Sequence, residues 1–107
     1  MDDGEDKMDK TFENFWISLR KSLKEPRHIR NWTVNSGYLG KDFFARAKQE
    51  GIYCDPPGVL VKKDAFFEIW ERWDKYLSSE ISRKELRDLP NYFTKYIISI
   101  FHHFMEV

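Results

Sequence analysis

Apolar side chains recur at intervals of three and four residues in three separate stretches, the spacing that gathers them on one face of a helix. Phe12, Phe15, Trp16, Leu19 and Leu23 form the first stripe, and Phe66, Ile69, Trp70, Trp73 and Leu77 the second. Phe93, Tyr96, Ile97, Ile100, Phe101 and Phe104 form the third. Each stripe must be buried against something, and together they predict a mainly α, compact helical domain with an aromatic core. The chain has 107 residues, 41% of them apolar and 17% aromatic, which is material for one core rather than two.

The helix ends follow from local chemistry. Pro26 lacks an amide hydrogen and clashes with the preceding turn, so the first helix is expected over 11–24. Asp64 can cap the second, whose Glu68, Glu71, Arg72, Asp74 and Lys75 then face water. Ser82 and Glu85 match a capping box, in which each side chain satisfies a free backbone amide of the first turn. That short helix is expected to stop before Pro90, and Asn91 to cap the last one. A further short helix is expected through His28, Ile29, Trp32 and Thr33. After an Asn35-Ser36-Gly37 turn, Gly40-Lys41-Asp42 is expected to open a helix through Phe43, Phe44, Ala47 and Lys48. Gly51 would supply its left-handed end. Two β-prone runs, Ile52-Tyr53-Cys54 and Val59-Leu60-Val61, flank Asp55-Pro56-Pro57-Gly58, which predicts one small β-hairpin.

Residues 1–10 hold five acids and two lysines without apolar periodicity, an acidic leader expected to be disordered ahead of a single helical domain over 11–107. The leader lacks the basic start and apolar stretch of a secretory signal. The stretch from Tyr96 to Phe104 is interrupted by Ser99, His102 and His103 and is too short to span a bilayer, so no membrane partner is expected. A lone cysteine, Cys54, excludes an internal disulfide and suggests an intracellular, cytoplasmic location.

Catalytic chemistry is sparse. No nucleophile elbow, zinc-protease motif, phosphate loop or dinucleotide fingerprint occurs. His102 and His103 are neighbours and diverge by about 100° on a helix, so they cannot share a metal. Cys54 has no cationic neighbour to favour its thiolate. Glu68, Glu71 and Asp74 are interleaved with Arg72 and Lys75 and read as a solvated face. The chain is therefore expected to be no enzyme and to need no cofactor or metal.

The densest positive segment is 20–30, RKSLKEPRHIR, with Arg20, Lys21, Lys24, Arg27 and Arg30 against one acid, Glu25. Clustered cations of this kind neutralise phosphates and release counterions, the footprint of a nucleic-acid binder. They also complement a helix C-terminus.

The order Lys48-Gln49-Glu50-Gly51, hairpin 52–61, Asp64-Ala65-Phe66-Phe67-Glu68-Ile69-Trp70 resembles the excisionase and MerR-like winged-helix DNA-binding family over 37–73. The resemblance implies a winged-helix-like fold in which Lys41, Arg46 and Lys48 project from a recognition helix at 41–50. Lys62 and Lys63 would then touch phosphates beside the wing, and Arg46 would read bases. Arg27, Arg30, Arg46 and Lys62 would join in one positive face. The expected function is thus nucleic-acid binding, DNA first. The alternative is a helical protein-interaction or assembly module, a homodimer included, because four tryptophans, five tyrosines and nine phenylalanines exceed what a small core readily hides.

Overall fold

A computed structural model describes the backbone of residues 3–87 and 93–105 and the side chains of 11–86 and 93–105. The elements in chain order are α1 (Asp3–Ser22), β1 (Arg27–Ile29), β2 (Trp32–Thr33), β3 (Gly37–Tyr38), β4 (Phe43–Lys48), β5 (Gly51–Asp55) and β6 (Val59–Lys62). Four helices follow: α2 (Lys63–Trp70), α3 (Trp73–Leu77), α4 (Arg83–Arg87) and α5 (Thr94–Met105). The strands β1-β4-β5-β6 form a four-stranded antiparallel sheet in that order, and β2 and β3 pair separately.

This corrects the expectation of a mainly α domain with one small hairpin. Residues 41–50, expected to be a helix, contain strand β4, and the residues around His28 and Trp32 are strands β1 and β2. The reason lies in alternation. Phe43 and Ala45 are buried, while Phe44 and Arg46 are exposed, a period of two rather than 3.6. Alanine, arginine and lysine favour helix locally, but β4 is paired on both edges, by β1 and β5, and this tertiary pairing overrides propensity. Without a helix at 41–50 there is no recognition helix, and the winged-helix-like arrangement is not what the chain builds.

The inner face of the sheet carries Ile29, Phe43, Ala45, Ile52, Cys54 and Val61, all buried. Onto it pack the helices. The stripe Phe12, Trp16, Leu19 and Leu23 of the first helix is buried as its spacing predicts, with Phe15 half-buried. Phe66 lies between Trp16, at 5.2 Å between ring centroids, and Phe101, at 5.8 Å. Phe15 of α1 meets Phe101 of α5 edge-on at 5.5 Å, so the first and last described elements close on each other. The Leu23 carbonyl accepts the Ala47 N–H at 2.7 Å, which seats the end of α1 against the edge of β4.

The helix expected from Asp64 through Leu77 is instead two, α2 and α3, broken at Glu71 and Arg72. The break turns Trp73 and Tyr76 into the core, while Trp70, expected at its centre, is only half-buried. Arg72 holds the joint by donating from Nη1 to the Glu68 carbonyl at 2.9 Å. Neither glycine nor proline marks this break. The Ser82–Glu85 capping box forms as expected: Glu85 N donates to Ser82 Oγ at 3.2 Å and Ser82 N to Glu85 Oε1 at 3.3 Å. The hairpin β5–β6 and the turn at Gly37, with φ of +65°, are also as expected. Between β4 and β5, by contrast, the left-handed residue is Gln49, at φ of 51°, and not Gly51. The caps and stops at Pro90 and Asn91 and the side chains of the acidic leader lie outside the described residues. No helix among the described residues is long and apolar enough to cross a membrane.

Candidate functional site

Register decides which side chains share the outer face of the sheet. Directly opposed residues of an antiparallel pair lie on one face, and alternate residues of a strand return to it. His28 pairs with Phe44 and Phe44 with Asp55, Arg46 pairs with Tyr53 and Tyr53 with Leu60, and Lys48 pairs with Gly51 and Gly51 with Lys62. Three rows result. The first holds an imidazole, a phenyl ring and a carboxylate, the second a guanidinium, a phenol and a leucine, and the third two lysines flanking a glycine.

Tyr53 is the hub of this face. The Arg46 guanidinium lies 5.8 Å and the Lys48 ammonium 4.5 Å from its ring centroid, so two cations from β4 converge on one aromatic of β5. A Cβ at Gly58 would come within 3.0 Å of the Tyr53 hydroxyl, and Gly58 has φ of +89°, so the turn requires glycine both to bend and to leave room for the phenol. Phe44 is 50% exposed, an aromatic held in water on a sheet surface. Its ring lies 5.5 Å from that of His28, and a cavity of about 200 Å³ beside it is lined by Pro26, Arg46, Tyr53 and Asp55. His28 in turn is paired with Asp42, Nε2 to Oδ2 at 2.9 Å.

The cations singled out in the sequence divide into groups. Arg46, Lys48 and Lys62 come together on the outer face. Arg27 pairs with the inward-facing Ala45 and so falls on the opposite face, although it is exposed. Lys21 and Lys24 are exposed at the end of α1. Arg20 is committed to the Gln49 carbonyl and Lys63 to the Glu13 carboxylate. Lys41 lines a cavity of about 350 Å³ with Asp42, Lys95 and Tyr96. Arg30 lies 3.9 Å over the Tyr38 ring. The face joining Arg27, Arg30, Arg46 and Lys62 is therefore not formed. A smaller one is, in which aromatics and cations alternate. Sequence reasoning missed Phe44 and Tyr53 because both were assigned to other roles; the signal available was the alternation Phe44, Arg46, Lys48.

Most of the aromatic complement is absorbed by packing. Among the described residues the exposed large apolar side chains are Ile17, Tyr38, Leu39, Phe44 and Leu77, spread over α1, β3 and its loop, β4 and α3. Cys54 is fully buried, and burial pushes its thiol up to about 12, which keeps it protonated and inert. No group of three or more His, Cys, Asp or Glu side chains among the described residues is placed to hold a metal ion. Comparison with protein-family models, with curated proteins and with solved structures finds no match.

Proposed function

We propose that the chain binds single-stranded nucleic acid across the outer face of its four-stranded sheet. The observation that carries this reading is Phe44, half exposed in a row-and-column array with Tyr53 and the cations Arg46, Lys48 and Lys62. An aromatic ring on an open sheet offers a base a surface to stack on, and neighbouring cations track the backbone. Single strands are favoured over duplex because these side chains stand on a sheet face, not on a helix that could enter a groove. The chain as a whole has no net formal charge, so the attraction must come from local clusters of cations; in this face Asp55 and the His28-paired Asp42 lie at the edge rather than among Arg46, Lys48 and Lys62.

Fluorescence anisotropy with labelled single-stranded DNA, single-stranded RNA and duplex, at low and high salt, tests the reading. Binding to a single strand is expected, weakening as salt rises. Phe44→Ala is expected to lose about 1 to 3 kcal/mol of affinity through stacking. Absence of binding at low salt, or affinity unchanged in Phe44→Ala, removes the proposal. The two single-strand arms decide between DNA and RNA.

A further inference from the structure

The cavity of about 200 Å³ beside Phe44 is lined by Pro26, Phe44, Ala45, Arg46, Tyr53 and Asp55. Register sets what stands where around it. Phe44 pairs with Asp55 and Arg46 with Tyr53, so four neighbouring positions of the outer face form a square. One diagonal carries two aromatic rings, Phe44 and Tyr53, and the other two opposite charges, Arg46 and Asp55. Among the described residues no ion pair joins Arg46 to Asp55; the guanidinium lies instead 5.8 Å from the Tyr53 ring centroid. Diagonal positions of this kind stand about 7 to 8 Å apart, which leaves room for a guest between the two charges.

A carboxylate at the margin of a surface that attracts phosphate weakens the attraction unless it meets a donor. Asp55 is exposed and is the carboxylate of this cavity, while Asp42 nearby is engaged with His28 at 2.9 Å. A phosphodiester has no N–H or O–H to offer, but bases do, and an unpaired base shows its whole Watson–Crick edge. Guanine presents N1–H and the N2 amino group side by side there, two donors for the two oxygens of one carboxylate. In adenine and cytosine the amino group stands beside a ring nitrogen whose lone pair a carboxylate repels. In thymine and uracil a single N–H lies between two carbonyls. The adjacent edge of guanine presents O6 and N7, two acceptors that match the fork of an arginine.

Size and surface agree with that guest. A space of about 200 Å³ lies below the roughly 300 to 1,000 Å³ of sites for drug-sized ligands and suits one planar ring system. Phe44, half exposed, supplies a ring to stack on, and Pro26 adds apolar surface at the rim. Lys48 and Lys62 share the row beyond Arg46 and Tyr53, where the phosphates flanking a seated base would pass. We infer that this cavity takes an unpaired guanine, with Asp55 accepting from N1–H and the N2 amino group and Arg46 donating to O6 and N7. The chain then prefers single strands that carry guanine, a selectivity that rests on the sheet-face reading above.

The test uses short oligothymidylate strands, or oligouridylate if RNA is the form that binds, with affinity read by fluorescence anisotropy. One central position carries guanine, adenine, cytosine, hypoxanthine or the parent base. The guanine strand is expected to bind about tenfold more tightly than the parent, the worth of a matched base edge. Hypoxanthine, which lacks the N2 amino group, is expected to lose most of that gain. Asp55→Asn puts a donor in place of one acceptor oxygen and is expected to abolish the guanine preference, while the parent strand binds as before or slightly more tightly. Asp55→Ala gives the same readout should the amide variant not fold. Equal affinity for the guanine, adenine and cytosine strands overturns the inference and leaves the sheet reading standing. A guanine preference undiminished in both variants also overturns it. Binding of none of the strands removes the sheet reading and the inference together.

Discussion

The backbone N–H of Trp32 donates to Ser99 Oγ at 3.0 Å, joining strand β2 to a buried hydroxyl of α5 across 67 positions of sequence. A second bond of the same kind runs from the Val34 N–H to the Tyr76 hydroxyl at 3.0 Å. These two bonds satisfy amides of the small hairpin that the main sheet leaves unpaired, and they fix Trp32, which stacks on His102, against the last helix. Ser99→Ala removes an acceptor without removing the donor. It is expected to cost about 1 to 3 kcal/mol in urea unfolding, the penalty of an orphaned amide. A cost near zero would mean that the amide finds water.

Core position, more than aromatic size, sets the cost of truncation. Phe66 is fully buried between Trp16 and Phe101, whereas Trp70 is half-buried against Phe12 and Phe15. Phe66→Ala is expected to lose about 3 to 5 kcal/mol, and Trp70→Ala less, despite the larger ring it removes. Chemical denaturation of both variants checks the order, and the reverse order would contradict the packing described.

The hairpin between β4 and β5 makes opposite demands at two sites on either side of Glu50. A Cβ at Gly51 would come within 2.4 Å of the Val61 carbonyl oxygen, a backbone atom that cannot swing away. Gly51→Ala should therefore destabilise by about 1 to 3 kcal/mol. Gln49 holds φ of 51°, a left-handed conformation costly to any residue with a Cβ. Gln49→Gly relieves that cost at some expense in unfolded-chain entropy and is expected to stabilise by about 0.5 to 1 kcal/mol. Thermal melts of the pair should move in opposite directions.

Alkaline pH should weaken the fold. Burial raises the Cys54 thiol from 9.0 to about 12. Desolvation also raises the Tyr76 hydroxyl, against smaller lowering contributions from its bond with Val34 and the charge of Arg83. Both groups stay protonated in the folded state at pH values where the unfolded chain has released its protons. Their contribution is complete below about pH 9 and falls as pH rises toward about 12. Urea midpoints at about pH 8 and about pH 11 should differ in that sense, and Cys54→Ala should reduce the difference.

Binding and stability should separate at Arg46. Its side chain is exposed, so Arg46→Ala leaves the urea midpoint within about 0.5 kcal/mol of the parent while reducing both single-strand affinity and its salt dependence. Lys63→Ala, which breaks only the pair with Glu13, should leave the affinity alone. Equal effects of the two variants on binding would move the site off the sheet face.

The legibility of this chain varied with how local the deciding force is. The stripes at Phe12 to Leu23 and Ile97 to Phe101 could be read because a helix buries one face through its own periodicity. The Ser82–Glu85 box depends on four consecutive residues and was equally visible. Residues 43–48 were not. Phenylalanine occupies both faces of that strand, and alanine marks the inner face too weakly to reveal a period of two, so the propensities of Ala45, Arg46, Ala47 and Lys48 spoke for helix. Only pairing with Arg27 to Ile29 on one edge and Gly51 to Asp55 on the other settles the matter. The same holds for the site. A resemblance to a fold that the chain does not build singled out Arg46, Lys48 and Lys62, whereas their alignment with Phe44 and Tyr53 draws on three strands that pairing alone brings together.

The edge-on contact of Phe15 with Phe101 has a consequence for synthesis. A ribosome releases α1 well before α5, so Phe12, Phe15 and Trp16 wait in water until α5 emerges, and the sheet waits with them, one face bare. Closure of the core must therefore wait for α5, and until then the apolar stripe of α1 and the inner face of the sheet are open to association with other chains.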